Sequence, residues 1–139
     1  MRPEEIILNL KEDFALLGDW EEKFSYIIDL GQRLPPFPEN EKTVDRLVNG
    51  CVSRVWIMPA AGSTPQNVQF LADSDALITK GLVALLLSVV NQQPAQTILN
   101  LDFNFINDLG LGHHLSPNRV NGLWSMIRKI KDLASGLKS

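Results

Sequence analysis

Residues Gly81–Val90 form the longest apolar run of the chain, closed by Lys80 on one side and Asn91 on the other. A membrane-spanning helix needs roughly 20 such residues, and this run supplies about half of that. A helix that is apolar on nearly every side has to be buried all round. The sequence therefore predicts a central helix over about 76–91, with Asp73, Ser74 and Asp75 before it as candidate caps for its first turn. Everything else in the chain must be arranged to cover that helix.

Two helical patterns precede it. Residues 4–17 carry Ile6, Ile7, Leu10, Phe14 and Leu17 at helical spacing, and Gly18 ends the pattern. Asp19 followed by Glu22 resembles a capping box opening a second helix, whose apolar stripe runs through Trp20, Phe24, Ile27, Ile28 and Leu34. Pro35, Pro36 and Pro38 stop it, because proline removes backbone donors and restrains its predecessor. Residues 35–44 are then an extended connection.

From Arg46 to Asp73 the period changes to two. Val55 and Ile57 alternate with Arg54, Trp56 and Met58 in a strand expected over 52–58, and Val68, Phe70 and Ala72 alternate with Gln69 and Leu71. The loop from Pro59 to Pro65, with Gly62 inside it, joins them as a hairpin. Arg46–Asn49 is a candidate third, shorter strand before Gly50. After the central helix, short helices are expected around 94–100 and 102–109. Ser116-Pro117 forms a cap and first-turn pair opening a last helix, with Val120, Leu123, Trp124, Ile127 and Ile130 inward. The fold class expected is α+β: a small antiparallel sheet of about three strands packed with N-terminal and C-terminal helices.

With 139 residues, 45% of them apolar and 21% charged, the chain suits one domain spanning 1–139 with a single core. The formal charge of −3 gives no global positive field for nucleic acid or an anionic membrane surface. Charge is uneven: residues 1–53 hold eleven acids and six bases, and residues 54–139 five acids and seven bases. Arg128, Lys129, Lys131 and Lys138 crowd the end, where cations oppose a helix dipole. Ile6–Leu8 is too short and too acid-flanked for the apolar part of a signal peptide. One cysteine excludes an internal disulfide, so a reducing, cytoplasmic setting is expected.

Cys51 is the one sulfur nucleophile. A lone cysteine often only fills space, but Asn49-Gly50 before it is a turn signal and a strand follows. It thus sits at a loop tip on a rigid scaffold, where reactive groups tend to be placed. Gly50 can take a positive φ without steric cost and gives a partner room to approach. A reactive thiolate wants cations nearby; Arg46 and Arg54 are near in sequence, and Arg119 is a candidate to approach in space. A second thiol could attack a carried persulfide and discharge it as sulfide. A single thiol avoids that loss, although a space-filling cysteine fits the count equally.

Other constellations carry less. Adjacent His113 and His114 do not face one way and have no matching Cys/His spacing for a metal. An iron–sulfur scaffold needs several cysteine ligands. Trp20, Trp56 and Trp124 fall on apolar stripes and read as core. Asp73-Ser74-Asp75 could bind a cation, but capping is the simpler role. No oxyanion or general-base constellation points to a free-standing thiol enzyme, so no independent turnover is expected.

The segment Asn49-Gly50-Cys51-Val52-Ser53-Arg54-Val55-Trp56 resembles the signature of the SufE/CsdE family of sulfur-acceptor proteins. Asp19-Trp20-Glu21-Glu22-Lys23-Phe24, Tyr26-Ile27-Ile28-Asp29-Leu30-Gly31 and Leu34-Pro35-Pro36 are similar to its N-terminal part. Ala72-Asp73-Ser74-Asp75-Ala76 with Lys80-Gly81-Leu82 resembles the start of its central helix. Leu109-Gly110-Leu111, His114-Leu115-Ser116-Pro117-Asn118-Arg119 and Asn121-Gly122-Leu123 resemble its C-terminal signature. The likeness runs through essentially the whole chain in order. Val52 and Arg54 depart from it, standing where family members often carry glutamines.

The resemblance implies a fold similar to iron–sulfur scaffold proteins of the IscU type. It implies that Cys51 takes sulfur from the active-site cysteine persulfide of a pyridoxal-phosphate-dependent cysteine desulfurase of SufS/CsdA type. It further implies stimulation of that enzyme and delivery of sulfur to a SufBCD-type scaffold for iron–sulfur cluster assembly. No cofactor of the chain's own, no metal, no nucleic acid and no membrane are expected, and a homodimer is left open. Gly50, Ser53, Arg54, Arg119 and His114 are the candidate supporting or partner-facing residues around Cys51.

Overall fold

The structure is a computed structural model that describes residues 1–51 and 53–138. Helix α1 spans Pro3–Leu16, with proline in its first turn, where a missing N–H costs nothing, and Glu4 and Glu5 facing the positive end of the dipole. Helix α2 spans Trp20–Gln32. Its Asp19 cap accepts from the Glu22 N–H at 2.9 Å, while the Glu22 carboxylate accepts from the Gly18 N–H at 2.7 Å. The expected capping box is present, with its glutamate reaching one residue further back than the usual pattern.

The apolar run is helix α3, Leu77–Val90, and it occupies the centre. It crosses α2 at very close range through two glycines. A Cβ on Gly31 would lie 2.7 Å from the Gly81 nitrogen, and one on Gly81 would collide with the Ile27 carbonyl. Strands β1, Val55–Pro59, and β2, Phe70–Ser74, pair antiparallel with Val55 opposite Ser74, Ile57 opposite Ala72 and Pro59 opposite Phe70. The hairpin expected from the Pro59–Pro65 loop is therefore present, with Gly62 at a φ of +88°.

The sheet differs from the expectation in its strand count and in the bounds of both strands, the first spanning Val55–Pro59 instead of 52–58. Among the described residues it has two strands, since Val44–Arg46 forms a 3₁₀ turn and Leu47 makes only an isolated bridge to Trp56. The cause is local: Arg46 bonds Thr43 and Glu41, and the chain reverses at Gly50 before a ladder can extend. The second strand also lies two residues later than the pattern suggests, because Val68 pairs with Gln93 beyond α3.

This shift draws Asp73 and Ser74 into β2, and α3 starts after Ala76 with no side-chain cap. Asp73 instead receives Lys42 at 2.9 Å and Lys80 at 3.3 Å, and Asp75 receives Arg54 at 3.1 Å. The cations that these acids hold are side chains of the same chain. Lys42 and Arg54 also lie over Trp56, 5.1 and 5.4 Å from its rings, and Trp56 is buried beneath them.

Beyond α3 come α4, Ala95–Asn100, α5, Phe105–Asp108, α6, Leu111–His114, and α7, Pro117–Leu137. Helix α6 has no counterpart among the expected helices; it is four residues long and opens from Gly110 at a φ of +84°. Ser116 caps α7 by accepting from the Arg119 N–H. One contiguous core runs from Leu10 and Phe14 through α3 to Ile130 and Ala134. Among the described residues no helix is long and apolar enough to cross a membrane.

Candidate functional site

Cys51 directly follows the Asn49-Gly50 turn, between the Val44–Arg46 3₁₀ turn and β1, and packs against α7. Gly50 adopts the positive φ expected of it, +92°. A Cβ there would meet the Ser125 Oγ at 2.6 Å, so the missing side chain lets this backbone lie directly on α7. The Cys51 thiol donates to the Gly122 carbonyl at 3.5 Å. Burial raises its pKa above the ordinary thiol value, because desolvation disfavours the thiolate.

The sulfur opens into a cleft of about 300 Å³. Thr79 and Leu82 of α3 and Gly122 and Met126 of α7 line it, together with the polar Ser53 and Arg119. The structure thus brings Cys51, Ser53 and Arg119 together. Arg54 is next in the chain but is held by Asp75. Arg46 is engaged with Glu41 and Asp45. His114 is not among the residues lining the cleft; its ring stacks on Trp20 at 3.9 Å, and its Nδ1 lies 3.0 Å from the Gly110 carbonyl. Val52 lies outside the described residues. Among the described residues no three of His, Cys, Asp and Glu gather to hold a metal ion.

Thr79, Ser125, Met126 and Arg128 were not singled out from the sequence as site residues. Thr79 and Met126 fall inside apolar helical stripes and read as packing. Ser125 and Arg128 read as an ordinary helix surface, although Ser125 is buried. The one available signal was spacing: Gly122, Ser125 and Arg128 lie three residues apart on a single helical face.

A small α+β domain presenting one free thiol at a loop tip, with open space beside the sulfur, is built like a protein that takes up and passes on a small group. Residues 8–134 match the SufE profile, described as an Fe-S metabolism associated domain, and the chain belongs to the SufE family. It is 40% identical to an uncharacterized SufE-like protein of Rhizobium etli, covering 88% of this chain and 85% of that one. A second uncharacterized SufE-like protein, from Rhizobium meliloti, is 41% identical over 90% of this chain and 91% of its own length. The fold is shared with a hypothetical protein from Thermus thermophilus solved in solution, with a TM-score of 0.78 at 18% identity, covering 99% of this chain and 98% of that one. Family membership gives the chain a sulfur-acceptor role in iron–sulfur metabolism.

Proposed function

We propose that Cys51 is the sulfur-accepting atom, that the donor is the cysteine persulfide of a pyridoxal-phosphate-dependent cysteine desulfurase, and that the sulfur is passed to an iron–sulfur assembly scaffold in the cytoplasm. The Cys51 thiolate attacks the outer sulfur of the donor persulfide, the donor's sulfur–sulfur bond breaks, and the donor cysteine leaves as a thiolate. Cys51 then carries the persulfide. One observation carries this reading: the chain's single cysteine opens into a cleft with space beyond its sulfur.

The raised pKa leaves the resting thiol largely protonated at neutral pH. The partner must therefore complete the environment that releases the proton, which ties reactivity to docking and fits stimulation of the desulfurase by the carrier. Arg119 and Ser53 line the same cleft as the sulfur and are the polar groups this reading offers to an arriving partner. The chain contributes no cofactor of its own in this scheme.

A second reading, a desulfurase activator that carries no sulfur, draws on the same half-buried thiol, which also suits a packing role. Intact mass after incubation with a desulfurase, pyridoxal phosphate and cysteine, without reductant, separates the two. The carrier gains the mass of one sulfur atom, reversibly with reductant, and Cys51→Ser gains none. An unchanged mass beside an active desulfurase, with Cys51→Ser still stimulating fully, would leave only the activator.

A further inference from the structure

Beneath the Cys51 loop, α7 presents Gly122, Ser125 and Arg128 along one face. Gly122 accepts the thiol hydrogen bond at 3.5 Å, and a Cβ added there would lie 3.2 Å from Sγ, tight enough that the sulfur has to give by a few tenths of an ångström. Ser125 lies under Gly50 and is itself pinned. Its hydroxyl donates to the Asn121 carbonyl at 3.0 Å and accepts from Arg128 Nη2 at 3.2 Å. The loop's backbone and its sulfur thus rest on two adjacent positions of one helix, and a third holds the nearer of them in place.

We infer that Gly122, Ser125 and Arg128 are positioning residues that seat the Cys51 loop on α7, and that the seat holds the sulfur only while it carries a proton. The reason is the chemistry of the partner atom. A carbonyl oxygen can only accept. A thiol donates to it; a thiolate cannot. The inner sulfur of a persulfide carries no hydrogen either, since its second bond goes to the outer sulfur. Deprotonation or sulfur loading therefore removes the bond and sets sulfur lone pairs against the carbonyl oxygen.

The charged groups facing the loop are few. Arg119 lines the cleft from α7, Arg128 acts through Ser125, and the Arg54–Asp75 pair flanks Ser53, while α3 contributes the uncharged Thr79 and Leu82. Its functional meaning rests on the carrier reading: the empty carrier keeps its thiol seated, whereas the loaded one turns its sulfur away from α7. Donor and acceptor proteins then meet the loop in different states.

The test is the rate of iodoacetamide alkylation of Cys51 in the isolated protein against pH, with unfolding temperature measured alongside. Gly122→Ala introduces the better helix former, so α7 is not put at risk. It is expected to react about fivefold faster at neutral pH, as a modest shift of a seated population would produce, and to reach half-maximal rate at a lower pH. Arg128→Met keeps the aliphatic stem and is expected to move both readouts the same way by less, with Arg128→Lys restoring part of the wild-type behaviour.

A wild-type rate in Gly122→Ala overturns the seat. A faster rate with an unmoved pH midpoint overturns its dependence on the proton, and an unchanged Arg128→Met removes Arg128 from it. Amide exchange at residues 49–51 provides a second measurement. Cys51→Ser, which keeps a donor, is expected to stay protected, and Cys51→Ala to exchange faster; equal exchange overturns the role of the bond. No desulfurase enters these measurements. A chain that never gains sulfur yet shows these rates would refute the carrier and leave the seat standing.

Discussion

Cys51 combines two tendencies that pull against each other. Its position on a turn tip gives access, while burial against α7 lifts its pKa and lowers the fraction of reactive thiolate. The native state binds the thiol proton more tightly than the unfolded chain does. The resulting contribution to stability is fully present below the unfolded thiol's pKa and fades as pH rises through the raised, folded value. Half-maximal alkylation should therefore come at higher pH in the native protein than in urea, as iodoacetamide labelling against pH would show. Coincident profiles would mean that the thiol is not desolvated. Tyr26 behaves in the same sense for a similar cause: burial and its bond to Asp13 push it up to about 12, so its contribution is lost only in strong alkali.

Among the elements, the crossing of α2 and α3 is the closest approach that glycine makes possible. Gly81 faces the Ile27 carbonyl, and Gly31 faces the backbone of Gly81. An added methyl meets backbone, which cannot rotate away as a side chain would. Gly81→Ala should therefore destabilise by roughly 1–3 kcal/mol despite alanine's better helix propensity. Urea unfolding of the variant measures this, and a stabilised protein would show that the helices can slide apart freely. The same logic governs the segment 35–47. Burial works to raise the Asp73 pKa, but hydrogen bonds from Lys42, the Ser74 N–H and Lys80 outweigh it and hold the carboxyl low. Lys42 in turn covers Trp56, so the connection leading to Cys51 is fastened across both strands.

At the scale of the whole molecule, α1, the hairpin and α7 all contribute to one core around α3. A chain of this size with a single core should unfold in one cooperative step. Trp20, Trp56 and Trp124 lie on α2, β1 and α7, so their fluorescence samples three regions of the fold. Fluorescence and far-ultraviolet circular dichroism should give the same urea midpoint. Separate midpoints would divide the chain into two folding units. The charge imbalance between the two ends does not divide it, because Lys11 reaches Asp108 at 3.1 Å and Lys129 reaches the Asp45 carbonyl at 2.8 Å.

Signals confined to a few neighbouring residues are legible in the sequence. The Asp19 and Ser116 caps, the Gly50 turn, the apolar helix at 77–90 and the hairpin each depend on local stereochemistry or on a short period, which the sequence states directly. The resemblance around Asn49–Trp56 pointed to the SufE family, and the profile match over residues 8–134 shows it. What the sequence could not state was which partner each polar residue would find. Asp73 and Asp75 had cap chemistry, but a two-residue register shift gave them to Lys42, Lys80 and Arg54. His114 went to Trp20, and Gly122 and Ser125, 71 and 75 positions beyond Cys51 and Gly50, came to lie beneath them. Pairings of that range depend on how α7 packs across the molecule, and no local pattern encodes that packing.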